Sequence, residues 1–360
     1  MNDPRVANLA RILVRYSIRA RKNDIVVVRA AVSAQPLVLA VFEELLRAGA
    51  HPAVRMEPSG TSEAFFKLAR PHHLSTITPL QRAEAAKMDA SIRILADENT
   101  RSLSAVAPRK QAAFSRTMRP LRNITLKKRW VLTLYPTQAY AQDAEMSLRE
   151  FEDFVFATTF ADHKDPIGQW KKLAAMQVRL IHRLRRADEV RIVGPQTDLR
   201  LSVKGRTFIN SNGVYNMPSG EVFTGPVETS ADGHIAFDFP VCVGGREING
   251  VRLVFRKGRV VEASATKNEK YLLVMLDSDP GARRLGELGI GTNRMIQKFI
   301  KNILFDEKIG GTIHLALGNS YPETGGKNVS ALHWDMIKDL RKGGAIYVDG
   351  KLFQKDGKFV

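Results

Sequence analysis

Cysteine is almost absent from this 360-residue sequence. The one residue, Cys242, excludes an internal disulfide, and a structural zinc site would want several thiolates. It stands in the apolar run Phe239-Pro240-Val241-Cys242-Val243, where a buried thiol packing as a small hydrophobe is expected. No apolar stretch approaches the roughly 18–20 residues of a membrane-spanning helix. The opening Met1-Asn2-Asp3-Pro4-Arg5 has neither the basic start nor the apolar core of a secretion signal, so a cytoplasmic protein is expected. Acidic residues are locally missing too. From Arg101 to Gln142 there is no Asp or Glu, against nine Lys or Arg, the last three being Lys127, Lys128 and Arg129.

That imbalance, with a second basic group at Lys171, Lys172, Arg179, Arg183, Arg185 and Arg186, underlies the net charge of +18. Such an excess attracts anions, whether nucleic acid or acidic peptides. Aromatic residues that could stack on bases are sparse, with Phe114 and Trp130 at the ends of the first run. Helix-turn-helix, zinc-finger and RNP signatures are missing as well. A solvated basic face is therefore expected, steering of acidic substrates is its next reading, and nucleic acid is not an expected partner.

What is present is an ordinary soluble composition, 44% hydrophobic and 26% charged, at a length that suits two domains. Val6, Leu9, Ile12, Leu13 and Tyr16 fall at helical spacing over 5–21. Asp24–Val28 reads as a buried strand, Pro36–Ala48 as a helix and Pro52–Met56 as a strand. Ala90–Leu95 and Trp130–Tyr135 add two strands, and Ser147–Phe160 a helix. Helices alternating with β-branched runs predict an α/β domain with a parallel sheet over 1–165. A basic connecting helix follows over 166–186. From 187 to 360 the pattern changes to short strands between Gly, Asn and Asp turns, a mixed α+β, β-rich domain. Met295, Ile296, Phe299, Ile300 and Ile303 predict one further helix over Arg294–Phe305.

The residues able to do chemistry gather in this second half. His314 lies in an apolar run, His333 and Asp335 flank Trp334, and Glu221 and Glu287 stand in glycine-flanked segments. Imidazoles with several carboxylates suit a paired Zn, Co or Mn site better than a structural zinc. For His333 and Asp335 to reach one site, an extended segment is expected to twist or turn. Each motif alone is weak, since an isolated His or a glycine-flanked Glu is more often structural. Trp334 reads as a packing residue holding its neighbours in place.

Four ordered motifs add to this. They are Pro218-Ser219-Gly220-Glu221-Val222-Phe223-Thr224-Gly225-Pro226, Leu285-Gly286-Glu287-Leu288-Gly289-Ile290-Gly291-Thr292-Asn293, Asp306-Glu307-Lys308 with Gly311–Gly318, and Asn328–Asp335. Together they resemble the M29, or thermophilic, aminopeptidase family, and segments at Ala48–His51 and Trp130–Thr137 resemble its N-terminal half. The resemblance implies a metal-dependent aminopeptidase with two divalent ions (Zn, Co or Mn). Its ligands would be Glu221, Glu287, Glu307, His314, His333 and Asp335, with Glu287 as the candidate bridge. Glu307 precedes His314 by seven residues, a longer gap than in some members. Tyr321 falls on the family's active-site tyrosine, although its place before Pro322 also suits a turn. A homodimer, a peptide substrate with a free N-terminus and no membrane partner are implied too. Two alternatives stand beside this: a single-iron ring-cleaving dioxygenase of related fold using His314, His333 and Asp335, and a basic nucleic-acid-binding protein.

Overall fold

The structure, a computed structural model, describes residues 3–243 and 246–360, and the side chain of Cys242 lies outside the described residues. The chain folds as two compact units, one of residues 1–170 with 213–218 and one of 171–212 with 219–360.

In the first unit, five parallel strands form a sheet in the order His51–Glu57, Ile25–Ala31, Ala90–Leu95, Arg129–Leu134 and Asn216–Met217. The strand Ile25–Ala31, flanked on both sides, is buried where its sequence is β-branched, at Val26, Val27 and Val28. The predicted first helix runs Pro4–Arg11, with Asp3 accepting the Arg5 amide as its cap, and widens into a π-turn over Ile12–Ser17. Four helices carry no apolar period strong enough to show in the sequence: Thr61–Leu68, Pro71–Ser75, Pro79–Lys87 and Pro108–Leu126. The last holds most of the basic run and buries none of its residues; Arg109, Arg116, Arg119 and Arg122 are exposed.

The helix Pro166–Leu184 leads into the second unit. Here an eight-stranded antiparallel sheet, from Arg259–Ser264 at one edge to Lys358–Phe359 at the other, shares a hydrophobic core with a five-stranded antiparallel sheet. The smaller sheet runs His333–Asp339, Thr312–Gly318, Leu285–Gly291, Glu221–Thr224, Ile209–Ser211. Its core face is apolar: Trp334 and Met336, Ile313, Leu315 and Leu317, Leu288 and Ile290, and Val222 are all buried there. Because side chains alternate along a strand, the intervening residues face the other way, and they include the histidines and carboxylates.

The helix predicted over Arg294–Phe305 does not form; only Ile303–Asp306 is helical. Side-chain oxygens hold two backbone amides of this segment, one of which, that of Ile300, a helix would use. Asn293 Oδ1 takes the Met295 amide at 3.0 Å and Asp306 Oδ1 takes the Ile300 amide at 2.8 Å. Of the five apolar residues, Ile296 and Ile300 are buried while Met295 and Ile303 are exposed, so no single stripe is covered. Among the described residues, no helix is long and apolar enough to cross a membrane.

Candidate metal centre

Four neighbouring strands bring Glu221, Glu287, His314, His333 and Asp335 to one face of the smaller sheet, while Glu307 follows the short helix Ile303–Asp306 and Tyr321 precedes the turn at Pro322. The ladder sets Gly289 opposite His314, Gly291 opposite Glu221, Glu287 opposite Ala316, and Ala316 opposite Asp335. His333 pairs with Gly318 at the end of the same row. The turn expected between His333 and Asp335 is absent, because both lie in the strand His333–Asp339. Residues two apart on a strand share a face, so the strand itself presents both, while Trp334 between them anchors it in the core at 2% exposure.

Glycine makes room for this arrangement at two points. A side chain at Gly289 would start 1.9 Å from His314 Cε1, so the imidazole can lie across the strand only over bare backbone. Gly220, immediately before Glu221, has φ +120°, and a Cβ there would sit 2.6 Å from that of Asn293. Gln177, a residue the sequence does not mark, is wholly buried and donates to the backbone carbonyls of Ser211 and Glu221, tying the Glu221 strand to the helix beneath it.

Glu287 is central. Its Oε1 lies 3.3 Å from His314 Nε2 and its Oε2 3.4 Å from His333 Nε2. Glu221 Oε2 is 3.5 Å from His314 Nε2, and Asp335 Oδ1 is 3.6 Å from His333 Nε2. Three overlapping groups have ligand atoms mutually within 4.8 Å: Glu221, Glu287 and His314; Glu287, His333 and Asp335; Glu307, His314 and Asp335. Each histidine orients itself by donating Nδ1–H to a backbone carbonyl, His314 to Glu307 at 3.0 Å and His333 to Asn319 at 2.9 Å. A carbonyl can only accept, so Nε2 is the nitrogen turned to the carboxylates.

Burial raises the Glu221 and Asp335 carboxyls above the usual range. It acts the same way on Glu287, but hydrogen bonds from His314 and His333 prevail and hold that group low. Burial opposes charge on both imidazoles, yet the Glu287 hydrogen bond and the surrounding carboxylates prevail, pushing His314 up to about 10 and His333 up to about 9. Loss of water, followed by the negative charge of the cluster, raises the Tyr321 phenol, so it stays a hydrogen-bond donor at neutral pH. The Tyr321 ring packs edge-on to His333 and to Phe223, with centroids at 5.2 and 5.7 Å. Its carbonyl accepts from Thr324 in the following turn, so the residue has the turn role and faces the cluster as well.

Lys308 has no mark in the sequence beyond its place after Glu307. The structure buries it completely, with Nζ on Glu307 Oε1 and 3.7 Å from Glu221 Oε1. Burial disfavours its charge, but the two carboxylates outweigh that and its pKa is raised, so it contributes a fixed cation to the cluster.

The geometry defines a candidate metal centre of carboxylates and imidazoles, and proteins similar to this chain give its class. The family model described as thermophilic metalloprotease (M29) matches residues 2–359. Aminopeptidase 2 of Geobacillus stearothermophilus is 28% identical over 346 residues, 87% of this chain and 83% of that protein. Aminopeptidase T of Thermus thermophilus is 30% identical over 219 residues, 54% of this chain and 50% of that one. Wild-type AmpT from Thermus thermophilus matches in structure with a TM-score of 0.86 at 23% identity, covering 99% of both chains. A 2,5-dihydroxypridine dioxygenase from Pseudomonas putida KT2440 matches with a TM-score of 0.62 at 17% identity, over 99% of this chain and 96% of that one. The two structural matches are likenesses of fold. The chain belongs to the thermophilic metalloprotease family M29, and it is a metallopeptidase, a hydrolase acting on peptide bonds.

The residues present fit the divalent metal that such a family implies. Glu221 Oε2 and Asp335 Oδ1 are buried and accept no hydrogen bond, an expensive state for a carboxylate oxygen. Oxygen donors of this kind beside imidazole nitrogens are a natural ligand set for a first-row divalent cation.

Proposed function

We propose that this protein is an aminopeptidase that releases single residues from the free N-termini of short peptides, using two divalent ions held by Glu221, Glu287, Glu307, His314, His333 and Asp335. The observation that carries this reading is the double engagement of Glu287, whose two oxygens face the two histidines of separate ligand groups. A pair of ions at such a site supplies an activated water near neutral pH and polarises a carbonyl. The protein's own groups do the rest. The Tyr321 hydroxyl donates a hydrogen bond to the oxyanion that forms as the scissile carbonyl is attacked. A carboxylate of the cluster, Glu287 or Glu307, takes the proton from the attacking water and returns it to the leaving amine. A free amino terminus is the substrate group that a carboxylate-rich cluster can hold, and an acylated terminus offers neither its charge nor its lone pair. Of the finer parts of this reading, the homodimer rests on the family resemblance, and Zn, Co or Mn as the ions on that resemblance and on the mix of imidazoles with carboxylates.

The test is hydrolysis of a panel of aminoacyl chromogenic substrates after chelation and add-back of Co, Zn or Mn, with metal counted per chain. Activity should vanish on chelation and return with two ions bound, while an N-acetylated peptide stays intact. Each histidine must lose a proton to bind a cation, so loading should strengthen from pH 6 to pH 8. One ion per chain with iron-dependent oxygen uptake would instead establish the dioxygenase alternative. That chemistry needs only His314, His333 and Asp335, and leaves three clustered glutamates without a part.

Tyr321→Phe isolates the proposed oxyanion donor. Loss of such a donor lowers kcat by about 10²–10³-fold, and KM should change little because the ground-state carbonyl gains less from it. Steady-state kinetics on one good substrate decide the matter, and a change confined to KM would assign Tyr321 to binding.

A further inference from the structure

On the face of the sheet that bears His333 and Asp335, a cavity of about 130 Å³ opens directly beside the cluster. Its apolar wall is built from Pro240, Val241, Phe299, Ile303 and Ile337, and Lys301 and Asp306 complete the lining beside the cluster. Ile337 is two residues past Asp335 on the same strand face and is 3% exposed. Phe299 is held flat against Phe239, centroids 4.8 Å apart and planes 9° from parallel. The wall exists because residues 294–302 are not helical: Asp306, by taking the Ile300 amide, folds Phe299 and Ile303 around the opening.

We propose that this cavity receives the side chain of the substrate's N-terminal residue and selects apolar, chiefly aliphatic, residues there. The inference rests on the aminopeptidase reading and deepens it. In an N-terminal residue, one carbon carries both the amine and the scissile carbonyl, and that reading places both at the cluster. The side chain on the same carbon must therefore leave within a bond of it, and the adjoining space belongs to that residue rather than to those beyond the cleavage point. A cavity of about 150 Å³ lined by Leu, Ile and Phe side chains accommodates a benzene ring, so this one matches a leucine, isoleucine or methionine side chain, or at most one ring. The acid in its wall, Asp306, is 1% exposed and bonded to a backbone amide. A cationic side chain thus meets the like charge of Lys301 and no accessible acid beyond Asp335, which the same reading commits to a metal ion.

The test compares metal-loaded wild type and Ile303→Trp on leucyl, alanyl and lysyl substrates. Ile303 is 48% exposed, so a larger side chain can occupy the cavity without disturbing the core. Wild type should favour leucyl over lysyl and over alanyl by about tenfold or more in kcat/KM, the usual range for apolar discrimination. In Ile303→Trp the leucyl value should fall about tenfold while the alanyl value stays within about twofold. Phe299→Ala, which enlarges the same space, should raise activity on phenylalanyl or tryptophanyl substrates relative to leucyl. A flat wild-type profile, or an equal fall on leucyl and alanyl substrates, overturns the assignment of the cavity and leaves the aminopeptidase reading standing. Failure of loaded wild type on every aminoacyl substrate removes both.

Discussion

Glu287→Gln should yield a folded protein with turnover reduced by roughly 10³-fold or more. Even residues that only support a ligand cost about 10–100-fold in metal affinity or activity when changed, and Glu287 stands inside two ligand groups at once. The amide preserves the shape of a side chain that is 5% exposed, so the strand and its core face should persist. Its NH₂, however, must point at one of the two imidazoles. Each Nδ1–H is already committed to a carbonyl, so that NH₂ would donate to a neutral Nε2 and occupy the lone pair a cation needs. Activity, circular dichroism and metal content should be measured on one preparation. A mutant that still binds two ions and keeps more than about one per cent of wild-type kcat would show that Glu287 neither bridges nor shuttles protons.

The second large effect concerns stability. Lys308→Met should lower the melting temperature of the metal-free protein by something like 10 °C. Removing one partner of a buried ion pair costs about 3–5 kcal/mol, and each kcal/mol shifts the midpoint of a medium-sized domain by about 2–4 °C. Glu221 and Glu307 would be left without their nearest cation. Divalent ions supply the missing positive charge, so loading should stabilise the mutant distinctly more than it stabilises wild type. Thermal melts of both proteins with chelator and with excess metal test this. Equal metal-induced shifts in the two would mean that Lys308 does not compensate the carboxylates.

How far the sequence discloses this arrangement varies with the physics behind each part. Ala90–Leu95 is read at its observed bounds because a strand between two parallel neighbours is mostly buried, and Ala90, Ile92, Ile94 and Leu95 fill four of its six positions. The helix Pro108–Leu126 escapes notice because it buries nothing and so needs no stripe, although prolines at the starts of three of the four unread helices and the Thr78–Gln81 capping box were available signals. Met295 to Ile303 shows the reverse error, a helical period without a helix, since periodicity does not reveal that Asn293 and Asp306 will claim the amides. At the cluster, the motifs point to six potential ligands and Tyr321 in order, and the structure places these side chains together. No turn is needed at His333, because residues two apart on the strand His333–Asp339 already share a face. Lys308 is invisible for a different reason: a lysine reads as surface, and only the surrounding carboxylates make its burial tolerable.

Gly289 contributes no atom to any step of the reaction, yet the His314 ring occupies the space its side chain would fill. The cluster is therefore shaped partly by an omission, a single missing methyl group on the middle strand. Even the smallest replacement, alanine, would have to evict an imidazole, so the position with the least chemistry is among the least free to vary. A redesign that kept every acid and histidine while overlooking that bare backbone would copy the inventory and lose the site.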